Sequence, residues 1–213
     1  MREYSLIDRF LIGMDQALQT VHAPPRTTER ENPADDIPEA EDLPANERDL
    51  TGRLMRINHA GEIAAQGLYQ GQALTARDPQ VKQQMQRSSE EENDHLAWCE
   101  QRIEELGGHK SYLGPFWYLG SYGIGAAAGL LGDKWSLGFV RETENQVVEH
   151  IDGHMNRVSE HDLRTRAILD QMRVDEARHA YKASVAGAAH LPSPVRRLMR
   201  LASRVMTGTA YWV

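Results

Sequence analysis

Apolar residues recur along this chain every three to four positions, and the pattern breaks and restarts often enough to predict six amphipathic or core helices. From Tyr4 to Val21 the apolar positions are Leu6, Ile7, Phe10, Leu11, Met14, Leu18 and Val21, one face of an amphipathic helix. The period then lapses. From His22 to Glu47 the chain is polar, acidic and proline-rich, with Pro24, Pro25, Pro33, Pro38 and Pro44. So little apolar surface cannot offset the entropy of ordering it, which predicts a partly disordered linker over 22–49.

The period returns from Leu50 to Ala76 and breaks at Asp78-Pro79, where a proline opens a helix but cannot continue one. A second core helix is predicted from Pro79 to Leu106, stopped by Gly107-Gly108, a third from Lys134 to Ser159, and a fourth from Asp162 to Ala189. Between the second and third, Ser111 to Gly132 carries no charge but holds six glycines and Pro115. Its length would allow a membrane span, yet the glycines and proline weaken such a helix and point to a buried or membrane-dipping crossover. After Pro192 and Pro194 the tail sets Val195, Leu198, Met199, Leu201, Ala202, Val205 and Met206 opposite Arg196, Arg197, Arg200 and Arg204, then adds Tyr211 and Trp212. That is the pattern of a helix on a membrane surface or against a partner. The expected organisation is an N-terminal helix (1–21), an acidic linker (22–49), a four-helix domain (50–190) with its hydrophobic crossover at 111–132, and a basic amphipathic C-terminal helix (191–213).

Composition narrows this picture. With 213 residues, 40% apolar, the chain can build one sizeable core. Its single cysteine, Cys99, allows no internal disulfide, and the N-terminus lacks a basic-then-apolar secretory pattern, so a reducing, cytoplasmic compartment is expected. The formal charge of −7 sits unevenly: Glu29 to Asp49 holds nine acids against two arginines. From Arg53 to His190 fifteen basic residues face nineteen acidic ones, which argues against a nucleic-acid-binding core.

Each of the four central helices places a glutamate in its apolar stripe: Glu62, Glu92, Glu144 and Glu176. An isolated buried carboxylate costs more than a domain's whole net stability, so these groups must be protonated, paired or bound to metal. Their spacing favours metal. Glu62 and Glu92 are thirty residues apart around a turn near Asp78; Glu144 and Glu176 are thirty-two apart around a turn near Glu160. At about 1.5 Å rise per residue, each pair returns to nearly one height on an antiparallel hairpin. In both hairpins a histidine follows the second glutamate by three residues, giving Glu92-x-x-His95 and Glu176-x-x-His179. The i, i+3 relation puts carboxylate and imidazole on one helix face. Two such hairpins supply four carboxylates and two imidazoles in one layer, the ligand set of ferritin-like di-iron and di-manganese proteins. Glu90 and Glu91 look like a solvated acidic run. His59, His150 and His154 fall near the inferred centre, with His150 the candidate to act beside the metals. Cys99 reads as a small core residue, and Arg53 as a charge partner for a carboxylate behind the ligands.

With these residues in view, the chain resembles the Coq7 family. The resemblance runs through Arg53-Leu54-Met55-Arg56-Ile57-Asn58-His59-Ala60-Gly61-Glu62, Glu92-x-x-His95, Glu144 to His150, and Asp175-Glu176-x-x-His179, covering roughly residues 50 to 213. Ile151 departs from it, standing where a tyrosine is expected, so no role of that tyrosine carries over. The resemblance implies an all-α, ferritin-like di-iron monooxygenase that hydroxylates a polyprenylated demethoxy-benzoquinol (demethoxyubiquinol) with O2 in ubiquinone biosynthesis. It further implies Glu92 and Glu176 as bridging ligands, Glu62 and Glu144 as terminal ones, and NADH as an electron source, although the chain has no glycine-rich dinucleotide motif.

A tRNA-modifying hydroxylase or an iron oxidase shares the ligand set, but neither needs the uncharged crossover or the basic amphipathic tail. A non-catalytic lipid-binding module leaves the duplicated motif unexplained. The lipid-facing segments imply peripheral attachment at the cytoplasmic face of the inner membrane; the competing use for them is burial against a second copy in a homo-oligomer.

Overall fold

A computed structural model describes residues 5–28, 30–40 and 43–213, without the side chains at 6, 7, 9 and 10. Among these residues all regular structure is helical: α1 (Leu6–His22), α2 (Ala45–Thr75), α3 (Pro79–Glu105), α4 (Gly114–Leu130), α5 (Asp133–Met155), α6 (Leu163–Val185) and α7 (Ser193–Ala210). The fold is an all-α, ferritin-like bundle in which α2 pairs with α3 and α5 with α6. The predicted apolar face of the first helix falls partly on Tyr4 and the side chains of Leu6, Ile7 and Phe10, which lie outside the described residues.

Local chemistry sets the helix ends. Ser5 and Asp8 form a reciprocal capping box that starts α1. Asp78 caps α3 ahead of Pro79 by accepting from the Gln80 N–H at 2.8 Å. At the end of α3, Gly107 takes φ +72°, and Gly108 N–H reaches back to the Ile103 carbonyl at 2.8 Å. Gly187 (φ +94°) ends α6 in the same way, with Ala188 N–H bonded to the Ala183 carbonyl. That turn stops α6 at Val185, four residues before the predicted end at Ala189. Likewise α5 stops at Met155 rather than Ser159.

The predicted disorder of the acidic segment is corrected by what holds it. Helix α2 begins at Ala45, inside that segment, and Ala34 and Leu43 are buried in the core cluster of Leu54, Trp98, Ile103 and Leu169. Polar anchors add to this: Thr28 bonds to Asp94, Arg30 to Asp175, and Glu39 to Arg102. The segment straps across α3 and α6, held mainly by charge-assisted bonds to buried partners and not by the apolar area that hydropathy measures.

The uncharged crossover forms α4, packed along α2. A Cβ on Gly67 would strike the Tyr118 carbonyl, one on Gly71 the Tyr122 carbonyl, and one on Gly125 the Leu68 carbonyl. Glycine is therefore required where the two backbones touch. Among the described residues no helix is long and apolar enough to cross a membrane.

Two apolar clusters fill the bundle, one around Leu54, Met55, Cys99, Ile103, Ile151 and Met172, the other around Tyr69, Val81, Met85, Leu137, Val140 and Ala183. On every central helix the glutamate falls between these clusters: Glu62 between Met55 and Tyr69, Glu92 between Met85 and Cys99, Glu144 between Val140 and Ile151, Glu176 between Met172 and Ala183. A thin polar layer is thus sealed between two hydrophobic ones.

Candidate metal centre

All six predicted ligands, Glu62, Glu92, His95, Glu144, Glu176 and His179, are buried and come together in this layer. They form two overlapping groups, Glu62, Glu92, His95 and Glu176, and Glu92, Glu144, Glu176 and His179, within each of which ligand atoms lie within 4.8 Å of one another. Glu92 and Glu176 belong to both. His95 Nδ1 is 2.8 Å from Glu92 and 3.2 Å from Glu176; His179 Nδ1 is 3.1 Å from Glu92 and 3.4 Å from Glu176.

The electrostatics describe a cluster built for cations. Burial pushes Glu62 and Glu144 well above the usual carboxylate range, and the neighbouring carboxylates add to it. Burial also opposes the charge of Glu92, but His179 and His95 override it and pull its pKa down. For His179, burial works against protonation, yet Glu92, Glu176 and Glu91 raise its pKa to about 12. Four acids that close together hold protons among themselves and on the imidazoles unless another positive charge arrives. Two divalent cations would supply four positive charges to match four carboxylates.

The inward-facing atoms fit such ions. Both Glu92 oxygens, Glu176 Oε2, and Nδ1 of His95 and His179 are buried and face one another at ion-pair distance, with no partner in hydrogen-bonding geometry among the described residues. Atoms this polar are seldom left unpaired in a protein interior. The cluster can therefore hold metal, its carboxylate and imidazole donors suiting first-row divalent ions.

Outward-facing nitrogens are held by carboxylates absent from the predicted set. His179 Nε2 lies 2.7 Å from Glu91 Oε2, and His95 Nε2 3.1 Å from Asp175 Oδ2. Donation from Nε2 fixes the tautomer that leaves Nδ1 facing the cluster. The reading of Glu91 as a solvated acid is corrected: it is 7% exposed, and its carboxyl is held at about 2 by its bond to His179, against the cost of burial. Glu91 precedes Glu92, and Asp175 precedes Glu176. An acid directly before each Glu-x-x-His was thus a second repeated signal in the sequence. Tyr69, two turns beyond Glu62, donates its hydroxyl to Glu144.

The remaining candidates separate. Arg53 does have a carboxylate partner, Asp49 at 2.9 Å, but this pair is on the surface. The Arg53 guanidinium lies over the Tyr211 and Trp212 rings, so its expected place behind the ligands is corrected. His59 is buried near Glu100, and His154 packs on His150 with ring centroids 4.0 Å apart. Cys99 is buried in the core beside Met172, as is Ile151. His150 reaches the site from the side, lining a cavity of about 450 Å³ that also exposes Glu62, Glu144 and Glu176. Ile57, Leu68, Trp117, Phe139 and Val147 make most of that cavity apolar, and Phe116 of α4 and Leu198 of α7 border it while 71% and 66% exposed.

Comparison with known proteins agrees with this geometry. The chain is 59% identical over 212 residues to the 3-demethoxyubiquinol 3-hydroxylase of Nitrosococcus oceani, covering 100% of this chain and 99% of that one. It is 55% identical over 216 residues to the enzyme of the same name from Alcanivorax borkumensis (99% and 98% covered), and 53% identical over 204 residues to that from Dechloromonas aromatica (96% and 98%). The family model described as ubiquinone biosynthesis protein COQ7 matches residues 49–210, more than half of the chain. With that match and those identities, the chain belongs to the COQ7 family.

Proposed function

We propose that this protein is a 3-demethoxyubiquinol 3-hydroxylase, a di-iron monooxygenase that puts one oxygen atom of O2 on the ring of a polyprenylated quinol in ubiquinone biosynthesis. The observation that carries the reading is a largely apolar cavity with Glu62, Glu144 and Glu176 in its wall. An oily substrate can there meet a metal-binding layer from which water is largely excluded. Glu62, Glu92, His95, Glu144, Glu176 and His179 would hold two iron ions, Glu92 and Glu176 being common to both groups, and the irons would supply the oxygen activation. The chain's own work is orientation and exclusion. Trp117, Phe139 and Val147 line the cavity through which the ring would approach, and Asn58, Thr143 and His150 are among the polar groups in its wall. His150 Nε2 is buried and has no hydrogen-bond partner among the described residues. NADH is the electron source the family resemblance suggests.

The same reading places the protein peripherally on the cytoplasmic face of the inner membrane. A long-tailed quinol has to be collected from a bilayer, and the exposed apolar residues Leu11, Met14 and Leu18 of α1, Phe116 and Leu119 of α4, and Leu198, Leu201 and Val205 of α7 supply a surface for it. Burial of these faces against a second copy is the alternative use.

The test is direct. Apoprotein loaded anaerobically with Fe(II) is expected to bind two ions per chain. Given a short-tailed demethoxyubiquinol, O2 and a reductant, it should yield a product heavier by one oxygen, carrying label from 18O2. Glu176→Ala and His179→Ala should each lose at least one iron and the activity. Full iron loading in both variants would sink the ligand assignment, and a fully loaded parent that leaves the quinol untouched would sink the reaction.

A further inference from the structure

The strap ahead of α2 begins its path behind one of the two histidines. Thr28 gives its backbone N–H and its hydroxyl to the two oxygens of Asp94, each at 2.7 Å. Arg30 then lies over the Trp98 ring, 4.9 Å from its centroid, with one guanidinium nitrogen bonded to Asp175 Oδ2 and another 3.6 Å from Asp94. The Asp94 and Asp175 side chains are fully buried. Asp175 Oδ2 is also the oxygen that meets His95 Nε2, while its Oδ1 is taken by Gln171 and Arg178.

The other histidine is backed differently. Glu91, which holds His179, meets Arg87 at 3.3 Å, Arg178 at 3.2 Å and Lys182 at 3.8 Å, all on α3 or α6. The bundle therefore supplies every cation on the His179 side, whereas on the His95 side its Arg178 reaches only Asp175 Oδ1, and the cation on Oδ2 and beside Asp94 is Arg30, from a segment that precedes residue 49, where the family match begins.

We propose that Arg30 is a positioning residue for the metal centre: by bridging Asp94 and Asp175 it fixes the carboxylate that orients His95, so that the N-terminal strap completes one of the two ion sites. This rests on the two-ion reading above. Without the guanidinium, two buried carboxylates lose their common cation, and Asp175 Oδ2 keeps only His95 to hold it in place. Loss of an orienting partner behind a metal-bound histidine typically weakens affinity about 10- to 100-fold. The loss should fall on the His95 site alone.

Cobalt(II) titration of the full-length apoprotein tests this, since its visible absorption reports coordination geometry and competition with a chelator gives the two affinities. Three variants are compared with the parent: Arg30→Gln, Arg30→Lys, which keeps the charge without the planar fork, and Glu39→Gln, which loosens the strap at its contact with Arg102. Arg30→Gln is expected to lose about 10- to 100-fold in one affinity, with a changed spectrum and the other site intact. Arg30→Lys should lose less at the same site. Glu39→Gln should lower Tm and leave both affinities unchanged. If both Arg30 variants keep the parent's affinities and spectrum, or if they and Glu39→Gln weaken both sites alike, the strap is only a structural tie and the proposal fails. A parent that binds fewer than two cobalt ions would instead overturn the two-ion reading, and the proposal with it.

Discussion

Among the described residues Arg102 is the largest side chain withdrawn wholly from solvent, and it was not distinguished by the sequence pattern from any other charge on α3. It bonds to Glu39, Glu105, Asp162 and Thr165, tying the strap to α3 and to the start of α6. Removing one partner of a buried ion pair strands the other, at about 3–5 kcal/mol. Arg102→Ala should therefore unfold at clearly lower urea while retaining its metal content; an unchanged midpoint would show that water replaces the guanidinium without penalty. His154 carries the opposite liability. Burial, then His150 and Arg157, hold its pKa down to about 2 from the ordinary 6.5. Between those values the unfolded chain binds a proton that the folded chain refuses, so the stabilisation is complete above pH 6.5 and is lost as pH falls below it. Between pH 7 and pH 5 the Tm of metal-free protein should therefore shift downward relative to that of His154→Phe, which lacks this group while sharing the others. Equal slopes would remove His154 from the account. At this scale the six clustered residues were legible because carboxylates in apolar stripes have no ordinary explanation. Glu91 was not, because within Glu90-Glu91-Glu92 helical phase alone does not reveal that a histidine eighty-eight residues away reaches back to it.

Among the elements, the four central helices and their breaks followed from periodicity, proline and glycine, whereas the segment before α2 did not. Hydropathy registers apolar area, and this segment is ordered chiefly by a few charge-assisted bonds. The crossover shows a related limit: its glycines signal a weak helix in isolation, but against α2 they permit backbone contact that any larger residue would block. Gly71→Val should cost at least the 1–3 kcal/mol typical of overpacking, because the obstacle is the Tyr122 carbonyl and not a movable side chain. A matched change at Gly120, whose Cβ position is open, should be much milder. Thermal melts of the two variants decide it, and equal losses would mean that the seam has slack.

For the whole molecule, the arrangement of α1, α4 and α7 gives the membrane reading a measurable form. Near an anionic leaflet each arginine of α7 is worth about 1 kcal/mol. Replacing Arg196, Arg197, Arg200 and Arg204 with glutamine should abolish salt-sensitive sedimentation with phosphatidylglycerol vesicles. Parent-like binding by that variant, with loss of a dimer in solution, would assign the tail to self-association. The two histidine braces have a consequence of a different kind. Asp175 on the second hairpin steadies the histidine of the first, and Glu91 on the first steadies the histidine of the second. On the two-ion proposal neither half of the chain could finish its own coordination sphere, so tight metal retention would be a certificate of assembly, issued only to chains whose two halves have docked in register.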